Sequence, residues 1–119
     1  MAEPIQRDVV VYRDPEGRSP AREWLLGLDD ATVRAAVLTR IRRLQLGNPG
    51  DTKSLGEGVH ELRIHAGGGV RLYYGLDGRV LVVLLCGGTK RTQARDIAKA
   101  KKLWAAYRKE KTSDPAHSN

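Results

Sequence analysis

The chain has 119 residues, 40% of them hydrophobic, with a formal net charge of +7 and a sequence pI near 9.9. That length supports one core rather than two ordinary domains. The absence of a long apolar segment or a charged-then-apolar leader argues against membrane insertion and export, so the expected location is the cytoplasm. The charge suits a polyanionic partner, whether nucleic acid, ribosome, anionic membrane or acidic protein, and basicity kept for solubility is the plain alternative.

Residues 8–13, centred on Val9, Val10, Val11 and Tyr12, are expected to form an edge or first strand, closed by a turn at Asp14-Pro15-Glu16-Gly17. Ser19 is an N-cap with Pro20 at the first helical position, leading into a short helix over 21–28 with Trp24, Leu25 and Leu28 on its apolar face. Asp29 or Asp30 can cap a longer helix over 31–46. Its Val33, Val37, Ile41 and Leu44 share one face, and Arg34, Arg40 and Arg43 occupy the other. Gly47-Asn48-Pro49-Gly50 stops it, and residues 51–58 read as a polar loop.

Three strand-like runs follow. Residues 59–65 alternate apolar and polar, Ala66-Gly67-Gly68-Gly69 turns the chain, and residues 70–76 alternate again before the hairpin signal Asp77-Gly78. Residues 79–86 are almost wholly apolar, as in a central strand covered on both faces, and Gly87-Gly88 ends it. A last helix over 92–109 carries Ile97, Ala100, Leu103, Trp104 and Tyr107 at helical spacing, with a strongly basic remaining surface. The ordered domain is expected over 1–111, with 112–119 a disordered tail. Cys86 packs as a small hydrophobe, and His60, His65 and His117 have no cysteine at ligand spacing, so no metal site is expected.

Strand parity sorts the chemistry. With Leu62, Ile64, Leu72 and Tyr74 on a buried face, Arg63, His65, Arg71 and Tyr73 converge on the opposite one. Like charges on neighbouring strands repel unless an anion sits between them, which points to a ligand such as a phosphate. Lys90 and Arg91, just past the apolar strand, can join the same rim. The element order gives an α+β domain: an N-terminal strand, a helical hairpin covering one sheet face, an antiparallel three-stranded meander, and a C-terminal helix beside a partly open second face.

The segments GEGVHELRIHAGGGVRLYY and VLLCGGTKRTQARDIAKAK, with the upstream helical hairpin, resemble the RelE/ParE toxin superfamily over residues 9–107. Within it they are most similar to the HigB-like branch of addiction-module killer proteins. The resemblance implies a type II toxin that is neutralised by a cognate helix-turn-helix, HigA-like antitoxin and cleaves mRNA on translating ribosomes. It also implies that no metal or other cofactor is used, because the RNA's own 2′-hydroxyl attacks the adjacent phosphodiester. Residue by residue, Arg71 matches the arginine of the family's glycine, aromatic, arginine element, and Arg63 matches a recurrent basic position on the preceding strand. Lys90 and Arg91 match the basic pair after the last strand. On this basis Arg71, Arg63, His65 and Lys90 are the candidate catalytic residues, and Arg91, Tyr73 and Arg95 the candidate RNA contacts.

Each assignment has an alternative. Arg63 can be a salt-bridge partner of Glu61 or a surface residue, Lys90 and Arg91 can contact ribosomal RNA, and His65 can be a surface or packing residue. The chain also departs from the family. Val70 stands where an aromatic residue usually precedes the strand arginine, and no tyrosine lies near Ile97, leaving Tyr73 as the substitute. Two other functions remain open on the same resemblance: a ParE-like poison of DNA gyrase, and a weakly toxic component of an antitoxin–repressor complex.

Overall fold

The computed structural model describes residues 6–113. Its first two helices start at side chains able to satisfy orphan backbone donors. The Ser19 hydroxyl accepts the Arg22 N–H at 3.2 Å ahead of α1 (Pro20–Leu26), and the Asp30 carboxylate accepts from Thr32 and Val33 ahead of α2 (Ala31–Gln45). The last helix, α3 (Gln93–Ser113), follows a 3₁₀ turn over Lys90–Thr92. The tail expected from residue 112 lies, beyond Ser113, outside the described residues. No helix is long and apolar enough to cross a membrane among the described residues.

The strands are β1 (Asp8–Val11), β2 (Thr52–Ser54), β3 (Val59–Ile64), β4 (Val70–Asp77) and β5 (Leu81–Thr89), in one sheet of order β1-β5-β4-β3-β2. β1 runs parallel to β5, and the remaining pairs are antiparallel. The α+β class therefore stands, and the sheet is five-stranded and mixed rather than three-stranded, with β1 and β2 added outside the antiparallel strands β3, β4 and β5. Part of the supposed polar loop over 51–58 is β2, whose Thr52, Lys53 and Ser54 pair with Leu62, Glu61 and His60. Three polar residues on a sheet edge carry no periodicity to read.

Gly87 and Gly88 do not end the apolar strand. β5 continues through them to Thr89, and glycine is required there by neighbours rather than by a turn. A Cβ on Gly87 would lie 2.3 Å from the Trp24 ring, and one on Gly88 would lie 1.9 Å from Asp96 Oδ2. Both helical layers can therefore approach the same stretch of backbone.

The sheet divides two cores. Ala21, Val33, Val37 and Leu44 of α1 and α2 pack on Leu62, Ile64, Leu72, Tyr74, Val82 and Leu84. On the other face α3 brings Ala100 and Trp104 onto Tyr12, Val59, Tyr73, Val83, Leu85 and Cys86. A bulge, with Tyr73 opposite Cys86 and Tyr74 opposite Leu84, leaves Leu85 as the extra residue and puts Leu85 and Cys86 in the same α3-side core. Each such large side chain, fully buried, stabilises the fold by about 1.5–3 kcal/mol. α3 thus packs over much of the face expected to be partly open.

Arg40 does not sit on a solvated helix face. Its guanidinium donates to the backbone carbonyls of Arg63, of Pro49 at 2.9 Å and of Asp51 at 3.2 Å, fastening the 47–51 turn to the end of β3. Carbonyls left over at a helix stop and a strand end need donors, and a long fork supplies several at once.

Candidate functional site

Arg63 and Arg71 are direct cross-strand partners on β3 and β4. The anion that their juxtaposition calls for comes from the protein itself. Glu61, on the same strand face as Arg63, is fully buried. Its Oε1 accepts from Arg63 Nε at 2.9 Å and lies 4.0 Å from Arg71 Nε, and its Oε2 accepts from Gln93 Nε2 at 2.7 Å. Burial pushes the Glu61 carboxyl up, but the hydrogen bonds from Arg63 and Gln93 outweigh it and hold the group below its ordinary value. The first residue of α3 is thereby locked to the arginine pair through a buried carboxylate.

Arg71 retains unused donors. Its side chain is 10% exposed, its Nη1 reaches only its neighbour's Val70 carbonyl at 3.3 Å, and its Nε is buried without a hydrogen-bond partner. That Nε is enclosed, with Glu61 Oε1 4.0 Å away, so an incoming acceptor would meet the Nη end of the fork, which lies beside Gly69. Arg71 forms one wall of a recess of about 440 Å³ lined by His65, Ala66, Gly67, Gly68, Gly69 and Lys90. Gly67, Gly68 and Gly69 all have positive φ, a run that other residues adopt only under strain. A Cβ on Gly69 would lie 3.6 Å from both Arg71 Nη1 and Lys90 Cβ, so the glycine backbone passes between the two cationic side chains. The Lys90 N–H donates to the Gly69 carbonyl at 3.1 Å and fixes the start of the 3₁₀ turn against the recess.

His65 lies one residue beyond β3 and is exposed. Its Nε2 pairs with Asp51 Oδ2 at 2.7 Å, and this contact holds the Asp51 carboxyl below its ordinary value. A carboxylate on one ring nitrogen sets the tautomer and orientation of the imidazole and leaves Nδ1 for other work. The structure therefore gathers His65, Arg71 and Lys90 around one recess, with Arg63 a step away through Glu61.

The other candidates fall elsewhere. Tyr73 is fully buried in the α3-side core, where burial and the nearby Glu61 charge raise its pKa, so it offers no surface to a base. Its hydroxyl faces the Glu61 carboxylate. Arg91 is exposed on the 3₁₀ turn, and Arg95 is exposed with its Nε 3.5 Å from Asp96 Oδ1, both outside the recess lining. Glu61, Gln93 and Asp51 were not among the candidates. Parity could have found Glu61, which shares a face with buried Val59. Asp51 and Gln93 sit 14 and 32 positions from their partners, and no local spacing reveals them.

A mixed sheet held between a helical hairpin and a single long helix, opening beside that helix's start into a recess lined by Arg71 and Lys90, makes this a small basic α+β domain. Residues 23–109 match the family described as Phage derived protein Gp49-like (DUF891), and the chain belongs to that family. It is an addiction-module toxin family related to RelE- and HigB-type toxins. Membership implies a toxin of a toxin–antitoxin system with a cognate antitoxin as partner. An uncharacterised protein of Haemophilus influenzae is 50% identical over 80 residues, which make up 67% of this chain and 81% of the relative.

Proposed function

We propose that the chain is a HigB-like cytoplasmic toxin that cleaves mRNA on translating ribosomes without a metal, with the recess between His65, Arg71 and Lys90 as its phosphate site. The observation that carries this reading is Arg71: a nearly buried guanidinium, held beside the Glu61 carboxylate, that lines an open, glycine-floored recess together with His65 and Lys90. The 2′-hydroxyl oxygen attacks the adjacent phosphorus, and the 5′-oxygen bond breaks, giving a 2′,3′-cyclic phosphate and a 5′-hydroxyl end. His65, oriented by Asp51, takes the 2′-hydroxyl proton. The Lys90 ammonium supplies one to the leaving 5′-oxygen. The Arg71 fork bonds the non-bridging oxygens as charge grows on them. A positioned acid or base contributes about 10²–10⁴ in rate, and one preorganised donor to the developing charge about 10²–10³.

Glu61 serves this chemistry by holding Arg63 and Arg71 on one rung without mutual repulsion. Arg91 and Arg95, exposed beside the recess, track the RNA backbone. With Tyr73 buried and Val70 in place of an aromatic residue, the recess lining has no tyrosine, tryptophan or phenylalanine on which to stack a base, and its one ring, His65, is assigned to proton transfer. Orientation of the mRNA then falls to the ribosome, which supports ribosome dependence.

The test is induced expression of the wild type and of Arg71→Ala in a host lacking the antitoxin, with growth followed and new mRNA 5′ ends mapped. New 5′-hydroxyl ends within translated frames, lost with Arg71→Ala, are expected. Cleavage of free RNA as fast as ribosome-bound RNA would remove the ribosome from the scheme. Arrest with intact mRNA and damaged DNA would replace the scheme with gyrase poisoning, and no arrest would leave only the repressor-complex role.

A further inference from the structure

A cavity larger than the recess lies away from it, on the flank of α3 toward its C-terminal end. One hollow of about 570 Å³ includes Leu76, Trp104, Tyr107 and Arg108 in its lining, and a second of about 440 Å³ includes Lys102, Trp104, Ala105 and Arg108. Trp104 and Arg108 belong to both, so the two hollows form one trough. Its floor is apolar because Gly58 and Gly75 let the Trp104 indole lie against the sheet. A Cβ at those positions would come within 2.5 and 2.4 Å of the ring.

The rim is cationic beyond its internal needs. Its acids are already matched: Glu57 pairs with Lys101 at 3.3 Å, and Asp77 pairs with Lys111 at 2.6 Å and accepts from the Tyr107 hydroxyl at 2.6 Å. Lys102 and Arg108 are exposed and have no acidic partner among the described residues. An apolar floor flanked by two uncompensated cations suits an acidic segment with apolar side chains on one face. It suits a nucleic-acid strand less well, because the Trp104 ring is largely covered. Trp104 is 4% exposed, and Tyr107 stacks on it with centroids 5.0 Å apart.

We propose that this trough docks an acidic amphipathic segment of the cognate antitoxin, with its apolar side chains over Leu76, Trp104, Ala105 and Tyr107 and its carboxylates against Lys102 and Arg108. The inference rests on the family's toxin–antitoxin pairing and not on the ribonuclease reading. Arg108 is fifteen residues beyond Gln93, about 22 Å along the helix at 1.5 Å per residue, so the docked segment sits well apart from the Arg71 recess.

The test uses the full-length chain and, as probe, its cognate antitoxin, comparing the wild type with the double variant Lys102→Glu, Arg108→Glu. Neither side chain holds the fold together, so the melting temperature should not move. Antitoxin affinity should fall by about tenfold or more, through a slower, less salt-dependent association, and co-expressed antitoxin should no longer rescue growth. Growth arrest by the variant toxin alone should persist, which separates this result from a failure of the catalytic scheme. Unchanged affinity and rescue would overturn the proposal. So would a tighter complex after removal of residues 113–119, which would assign the trough to the chain's own end. Loss of growth arrest with antitoxin affinity intact would assign it to nucleic acid.

Discussion

Glu61→Gln isolates what the buried carboxylate does. The substitution keeps size and shape while removing the charge, and its amide cannot accept from both Arg63 and Gln93 as the two carboxylate oxygens do. A hydrogen bond to a buried charged group is worth about 1.5–3 kcal/mol, so losing the Gln93 contact alone should cost about 2 kcal/mol. At about 2 cal/mol/K of unfolding entropy per residue, that lowers the melting temperature of a chain of this length by about 8 °C. The pH dependence supplies the sharper check. Glu61 is held below its ordinary value of 4.5, so its contribution is complete above that pH and is lost as the pH falls through the lower folded-state value. Thermal melts of the wild type and Glu61→Gln should therefore differ most at pH 7 and converge in acid. A gap that stays constant with pH would mean that shape and not charge is at stake, and equal stability at pH 7 would remove the carboxylate from its anchoring role.

Other substitutions test other joints. Gly87→Ala should destabilise by about 1–3 kcal/mol, because its Cβ meets the Trp24 ring. Gly27→Ala should stabilise by about 0.4–1 kcal/mol, since Gly27 has φ −85° and its Cβ would make only ordinary contacts; denaturant melts on the pair distinguish close approach from turn-making. Arg40→Met keeps the stem but removes three carbonyl contacts, and should strip hydrogen-exchange protection from residues 47–54 before the rest of the sheet; uniform loss across the protein would contradict this. The Cys86 thiol is buried and pushed up to about 12 chiefly by that burial, so at pH 8 it should react with a thiol reagent only after denaturant is added. Labelling of the native protein at the rate of a free cysteine would show that the α3-side core opens.

Helix starts, the two alternating strands and the division of Leu62, Ile64, Leu72 and Tyr74 from Arg63 and Arg71 were legible because each follows from local periodicity or capping. The outermost pairings were not. β1 joins β5 in parallel through contacts between residues far apart in sequence, and β2 has too few residues to show a pattern. The glycines were misread at Gly87-Gly88 for a related reason: sequence displays a glycine's freedom to turn, but the neighbour that forbids a Cβ is visible only once Trp24 and Asp96 have been folded onto it. At the site, parity put Arg63 beside Arg71 and invited an external anion. The internal one, Glu61, was in view two residues away and was passed over as ordinary strand polarity.

The parallel pairing of β1 with β5 also governs when the protein can exist. Asp8 finds its partner only at Leu81, so the first strand must wait for more than seventy further residues before the sheet has its final neighbour. At roughly 5–20 residues per second of synthesis, that wait is on the order of 4–15 s. A nascent chain that stops before β5 holds neither the strand beside Arg71 nor the Lys90 turn that follows it. A prematurely ended product would be an inert, protease-sensitive fragment, and the assembled recess would be a property of the finished chain alone.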